Sequence, residues 1–235
     1  MRYPSMAAAL VLALLASGCG RAPSPAEIET VSMEALQRGD AGAERRLALW
    51  AKEGLPVAQR ELALLYRARH DRDAAHVLFE QAARKGDAEA AYQLGELERD
   101  RATTPGQAAQ WYRQAAEQGH ARAALMLGLL LKNGEGVAQD KAGAVHWLGV
   151  AAAAGNAHAM FLLSNAYAHG DGVQADGRRA RELLERAADR EYPAALQQLA
   201  MVKQAGDAWS ERDPHEAQQL LKEAEEHRRS NARRF

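Results

Sequence analysis

Cysteine is almost missing from this 235-residue chain: Cys19 stands alone. No intrachain disulfide is therefore possible. Aromatic residues make up only 6%, and β-branched residues are sparse, which disfavours a sheet. Neither sign of charge prevails, with 30 basic residues against 31 acidic, so the chain carries no general field for nucleic acid. The apolar run from Met6 to Ala16 has eleven residues, too few for an ordinary spanning helix. The seven prolines lie mostly near the start and at candidate loops or helix starts. What is abundant is alanine and leucine, a composition that favours helices.

The alanines and leucines repeat. Gly54, Gly86, Gly119 and Gly155 close successive units at spacings of 32, 33 and 36 residues, and Glu191 takes the next equivalent place. Inside each unit a Leu–small pair recurs: Leu62-Ala63, Leu94-Gly95, Leu127-Gly128, Leu163-Ser164 and Leu199-Ala200. A second alanine row follows at Ala75, Ala108, Ala144, Ala180 and Ala217. Four residues before each stands a residue able to cap a helix: Asp71, Thr104, Asp140, Asp176 and Asp213. Leu78, Trp111, Trp147, Leu183 and Leu220 are the bulky residues expected to fill the space between small ones. The clearest unit is 121–156: an apolar face at Ala124, Leu127, Gly128 and Leu131 with helical spacing, a stop at Asn133-Gly134-Glu135-Gly136, then a second helix opened by Asp140. One helix pair cannot bury its own apolar face, so the units are expected to stack. The predicted fold is all-α, a right-handed α-solenoid of helix–loop–helix units. Residues 27–53 read as a degenerate first unit, 54–228 as about five repeats and 229–235 as a basic tail.

The pattern LG…NGEGV…D…A..W…AA..G in Leu127 to Gly155, echoed as LS…HGDGV…D…A..L…AA in Leu163 to Ala188, resembles the Sel1-like repeat, a relative of the tetratricopeptide repeat. The units closed by Gly86 and Gly119 lack the double-glycine loop, so there the resemblance rests on the helices.

Met1-Arg2, the apolar run and the small residues before Cys19 describe a secretory signal over residues 1–18. Leu15-Ala16-Ser17-Gly18-Cys19 resembles the bacterial lipobox, with alanine where leucine is commonest. The resemblance implies lipidation of Cys19 and a bacterial lipoprotein facing the periplasm. Gly20, which is not aspartate, favours the outer membrane over the inner. Residues 19–26 read as a flexible tether; the proline- and serine-containing stretch 20–26 reaches at most about 25 Å.

No catalytic constellation emerges. The glycine loops 133–140 and 169–176 lack calcium-loop spacing, with Val173 and Ala175 at would-be ligand places. His146 and His158 have no clustered partner, and no nucleophile elbow is present. The chain also lacks the paired cysteines of Sel1-like proteins linked to β-lactam hydrolysis. No metal, cofactor or nucleic-acid partner is expected. In related helical repeats the first helix of each unit lines the concave side. That face carries Arg60, Leu64 and Arg67, then Tyr92, Glu96 and Arg99, then Leu125, Leu129 and Lys132, then Phe161, Asn165 and His169, then Gln197 and Met201. It is read as a partner groove, basic at one end and apolar in the middle, suited to an extended peptide or a helix. The expected function is a non-enzymatic protein-interaction scaffold of the envelope; the resemblance to Sel1-like lipoproteins implies a role in secretion, polysaccharide export or signalling complexes. The alternatives are a hydrolase acting on cell-wall or β-lactam substrates and a purely structural spacer.

Overall fold

A computed structural model describes residues 21–100, 105–208 and 210–232. The signal segment and Cys19 lie outside the described residues, as does Thr104. Among the described residues the chain forms twelve helices and no strand. In order they are α1 (Pro25–Arg38), α2 (Ala41–Lys52), α3 (Pro56–Ala68), α4 (Arg72–Arg84), α5 (Ala88–Asp100), α6 (Pro105–Glu117), α7 (Ala121–Asn133), α8 (Lys141–Ala153), α9 (Ala157–His169), α10 (Gly177–Ala188), α11 (Pro193–Ala205) and α12 (Pro214–Ala232). Each odd-numbered helix packs on the even one that follows, and each even helix packs on the next odd one. Packing of successive helices, with α1 also lying against α3, is that of an α-solenoid. No helix among the described residues is long and apolar enough to cross a membrane.

The helix starts follow from local chemistry. Asp71, Asp140 and Asp176 each accept a backbone N–H from the first turn of α4, α8 and α10, and Asp213 accepts two from the start of α12. Each bond satisfies a donor with no partner in the helix. Ser24 and Glu27 form a reciprocal capping box, so α1 begins at Pro25 and the extended tether ends earlier than residue 26. At the other end α12 continues to Ala232, taking in residues read from sequence as tail. The unit-closing residues Gly54, Gly86, Gly119 and Gly155 all have left-handed φ, from 85° to 91°. Glu191 adopts the same conformation at φ 59°, which a non-glycine residue does at some cost.

The core is built from small residues meeting large ones. The alanine row Ala75, Ala108, Ala144, Ala180 and Ala217 is buried throughout. In three of the five units the bulky residue that fills the space lies one position beyond the sequence expectation; in the fourth Leu183 is buried as expected, beside Leu184, and in the last Leu220 packs on the core while Leu221 is exposed. Leu78, Trp111, Trp147 and Leu220 are only partly buried, while Phe79, Tyr112, Leu148 and Leu184 are buried. The cause is the small partner on the first helix. A Cβ on Gly95 would lie 2.6 Å from the Tyr112 ring, and one on Gly128 would lie 2.9 Å from Leu148. Ser164, in the same row, donates from its hydroxyl to the Ala180 carbonyl oxygen at 2.7 Å. The first unit uses the same register, with Ala43 and Leu47 buried. Its cluster joins the main core through Tyr66 and Leu78.

Candidate functional site

The first-helix stripe is three rows deep, and the rows differ. The innermost row, Arg60, Tyr92, Leu125 and Phe161, is tied into the junctions between units. Arg60 lies between Glu29, Glu61 and Asp87 at 2.8, 2.9 and 3.1 Å, and its side chain is only 15% exposed. Tyr92 stacks on His120, with ring centres 4.7 Å apart, and Arg122 lies over its ring. Leu125 is buried, 9% exposed. Phe161 packs on Tyr192, which also stacks on His158. Asp87, His120 and Tyr192 all stand at the start of a following first helix. One inter-unit joint is thus made by ion pair, by stacking or by apolar contact, according to the residue available. Burial beside Tyr192, and then the charge of Lys132, push the His158 ring below its ordinary value.

A hydrogen-bonded chain crosses three units here. Arg67 on α3 donates to the Gln93 side-chain oxygen. The Gln93 amide donates to Glu89 at 2.5 Å, and His120 Nε2 lies 2.9 Å from the other Glu89 oxygen. Because His120 Nδ1 accepts from the Ala123 N–H, Nε2 carries the proton and donates. The His120 bond is the largest influence holding the Glu89 carboxyl down, at about 2.

The two outer rows open into two hollows. One, about 380 Å³, is polar and lies between α3, α5 and α7; it gathers Arg67, Tyr92 and Glu96 with His70, Arg72, Asp100 and Arg122. Glu96 accepts from the Tyr112 hydroxyl at 2.5 Å and from Arg99 at 3.1 Å. Burial, then that bond, push the Tyr112 phenol well up. Arg99 also reaches Met126. The second hollow, about 180 Å³, lies between α7, α8 and α9; Ala144, Val145, Leu148, Leu162 and Ala166 line it, and Lys132, Lys141, Asn165, His169 and Asp171 rim it. Lys141 and Asp171 pair at 2.6 Å. That bond comes first, with Lys132 and His169 adding to it, in lowering the Asp171 carboxyl. Asn165 accepts from Gln198 at 3.2 Å, and its carbonyl oxygen lies 2.8 Å from His169 Nδ1. The Lys132 ammonium has no hydrogen bond or ion pair among the described residues. Leu129 is partly buried against the core, and Met201 is 68% exposed at the far end of the stripe.

Arg67, Tyr92 and Glu96 thus share one hollow and Lys132, Asn165 and His169 the other. Sequence reading missed Val145, Lys141 and Asp171, because they come from a second helix and a loop. Lys141 and Val145 reach the stripe by the pairing of α7 with α8 inside one unit, and Asp171 by the stacking of the next unit on it. A signal for Asp171 and Lys141 existed in the glycine loop: a Cβ on Gly172 would overlap the Lys141 carbonyl oxygen, so glycine there lets the loop lie against the start of α8. Among the described residues no group of three or more His, Cys, Asp or Glu side chains could hold a metal ion.

A model of the Sel1 repeat matches residues 56–87, 88–120, 121–156, 157–192 and 193–227, five consecutive units. No curated protein matches the chain. Among solved structures, a Sel1 repeat protein from Oxalobacter formigenes is 26% identical over 86% of this chain and 85% of its own, with a TM-score of 0.70. The c5321 protective antigen of uropathogenic Escherichia coli, which displays the same repeat fold, is 24% identical with a TM-score of 0.77; the alignment covers 86% of this chain but 46% of that protein. The matched units coincide with the helix pairs α3–α4 through α11–α12, and with the small–large packing inside them this chain belongs to the Sel1 repeat family.

Proposed function

We propose that this chain is a non-enzymatic protein-interaction scaffold, tethered by a lipid on Cys19 to the periplasmic side of a bacterial membrane, the outer membrane being the favoured one. One observation carries the scaffold reading: the first helices present a continuous face whose outer rows stay open in two hollows at unit junctions. Stacked helix pairs characteristically offer such extended surfaces to other proteins. The anchor is supported by the signal-like start and by the placement of the sole cysteine directly after Ala16-Ser17-Gly18. A tethered scaffold of this kind serves a multi-protein assembly of the envelope, with secretion, polysaccharide export and signalling as the classes to test.

The two halves of the reading are tested separately. Cys19→Ser should release the chain from the membrane fraction, and intact-mass analysis of the wild type should find a lipidated Cys19 at the mature N-terminus. An unmodified Cys19 would remove the anchor. Affinity capture from cross-linked envelopes should lose its partner when Arg67 and Lys132 are both changed to glutamate. Capture unaltered by that double change would remove the groove.

A further inference from the structure

The scaffold reading leaves open what chemistry the groove takes, and resting on that reading we propose that its occupant is an acidic peptide segment carrying one apolar anchor side chain, seated in the hollow between α7, α8 and α9. The size of that hollow is the first argument. About 180 Å³ of space lined by Val145, Leu148, Leu162 and neighbouring alanines matches one large side chain, since an apolar cavity of about 150 Å³ takes a benzene ring. Charge is the second. Lys132, Lys141 and His169 surround a single acid, Asp171, which Lys141 already engages. Lys132 adds its field to Asp171, but its ammonium makes no hydrogen bond or ion pair among the described residues and can meet a carboxylate beside the anchor. The polar hollow repeats the imbalance, with Arg67, Arg72 and Arg122 against Glu96 and Asp100. There Glu96 is engaged by Tyr112 and Arg99, Arg72 pairs with Asp100 at 3.9 Å, Arg67 donates to the neutral Gln93, and Arg122 lies over the Tyr92 ring. The chain as a whole carries a formal charge of −1, so cation excess at both hollows is local to this face. An acidic segment with alternating side chains matches it: the apolar residue descends at one junction, and carboxylates meet the cations on the rims.

The test is selection of displayed random peptides on the purified full chain. The enriched sequences are then resynthesised with a fluorescent label and titrated by anisotropy. The expected peptides carry acidic residues around one Leu, Ile, Met or Phe. Their affinity should fall by roughly tenfold or more on Lys132→Glu, the loss of a charge-assisted contact. It should fall similarly on Val145→Phe, which fills the hollow, and on replacing the peptide's apolar residue by alanine. Binding should also weaken as salt rises. Lys132→Glu is a rim substitution outside the core, and an unchanged circular dichroism spectrum separates lost binding from lost fold. Enrichment of basic or uncharged peptides, equal binding to Lys132→Glu, no enrichment, or binding of anionic lipid vesicles in place of peptides would each overturn the proposal. If envelope capture still depends on Arg67 and Lys132 while no acidic peptide is enriched, the occupant assignment falls and the scaffold reading stands.

Discussion

At the scale of single residues, glycine does two separate jobs in this fold. Gly119 at φ 85° has open space where a Cβ would go, so its role is conformational only. Gly172 at φ 76° has the Lys141 carbonyl oxygen in the way as well. Gly119→Ala should therefore cost about 1 kcal/mol, the left-handed penalty. Gly172→Ala should cost about 3 kcal/mol, near the upper end for single substitutions, because strain and overlap add. Chemical denaturation of the two variants checks the difference; equal losses would show that the loop yields freely. Gly119 was legible in the sequence as a unit-closing residue and Gly172 as part of the glycine loop 169–176. The second reason for Gly172 was not, because its contact comes from a residue in the preceding unit.

At the scale of helices, most of the fold could be read beforehand and one feature could not. The caps, the alanine rows and the unit-closing residues are local or periodic, so the sequence carries them. The choice of which bulky residue faces inward is not local. Each second helix presents two large neighbours, such as Trp111-Tyr112 or Trp147-Leu148, and successive helical residues point about 100° apart. The missing side chain at Gly95 or Gly128 on the facing helix decides between them. The hollows were illegible for a related reason: their walls come from two units, and spacing within one unit says nothing of the register between units. The joints between helices also predict a response to acid. Glu89, on α5, is charged in the fold down to about pH 2, whereas the ordinary value is 4.5. Folding therefore favours its ionised form, and the stabilisation is present above pH 4.5 and is lost as pH falls toward 2. Urea unfolding across that window should show native stability falling faster than in Glu89→Gln. Identical pH profiles would show that the His120–Glu89 joint contributes no linkage.

At the scale of the whole molecule, the chain is a row of similar units held by neighbour contacts, with its differences placed on one face. The inner row of the first helices locks unit to unit through Arg60–Asp87, Tyr92–His120 and Phe161–Tyr192. The outer rows are left to form the open hollows. The end unit is lighter: Leu221, which corresponds to the buried Leu148 and Leu184, is 41% exposed, and α12 is charged along much of its surface. The account depends on the first-helix face being the one that meets a partner. Site-specific photo-crosslinking in intact cells separates the faces, with the crosslinker placed at Arg72 or His169 beside the hollows and at Arg113 or Arg186, exposed positions away from them. Protein adducts are expected from Arg72 and His169 and none from Arg113 and Arg186. Adducts confined to Arg113 and Arg186 would contradict it.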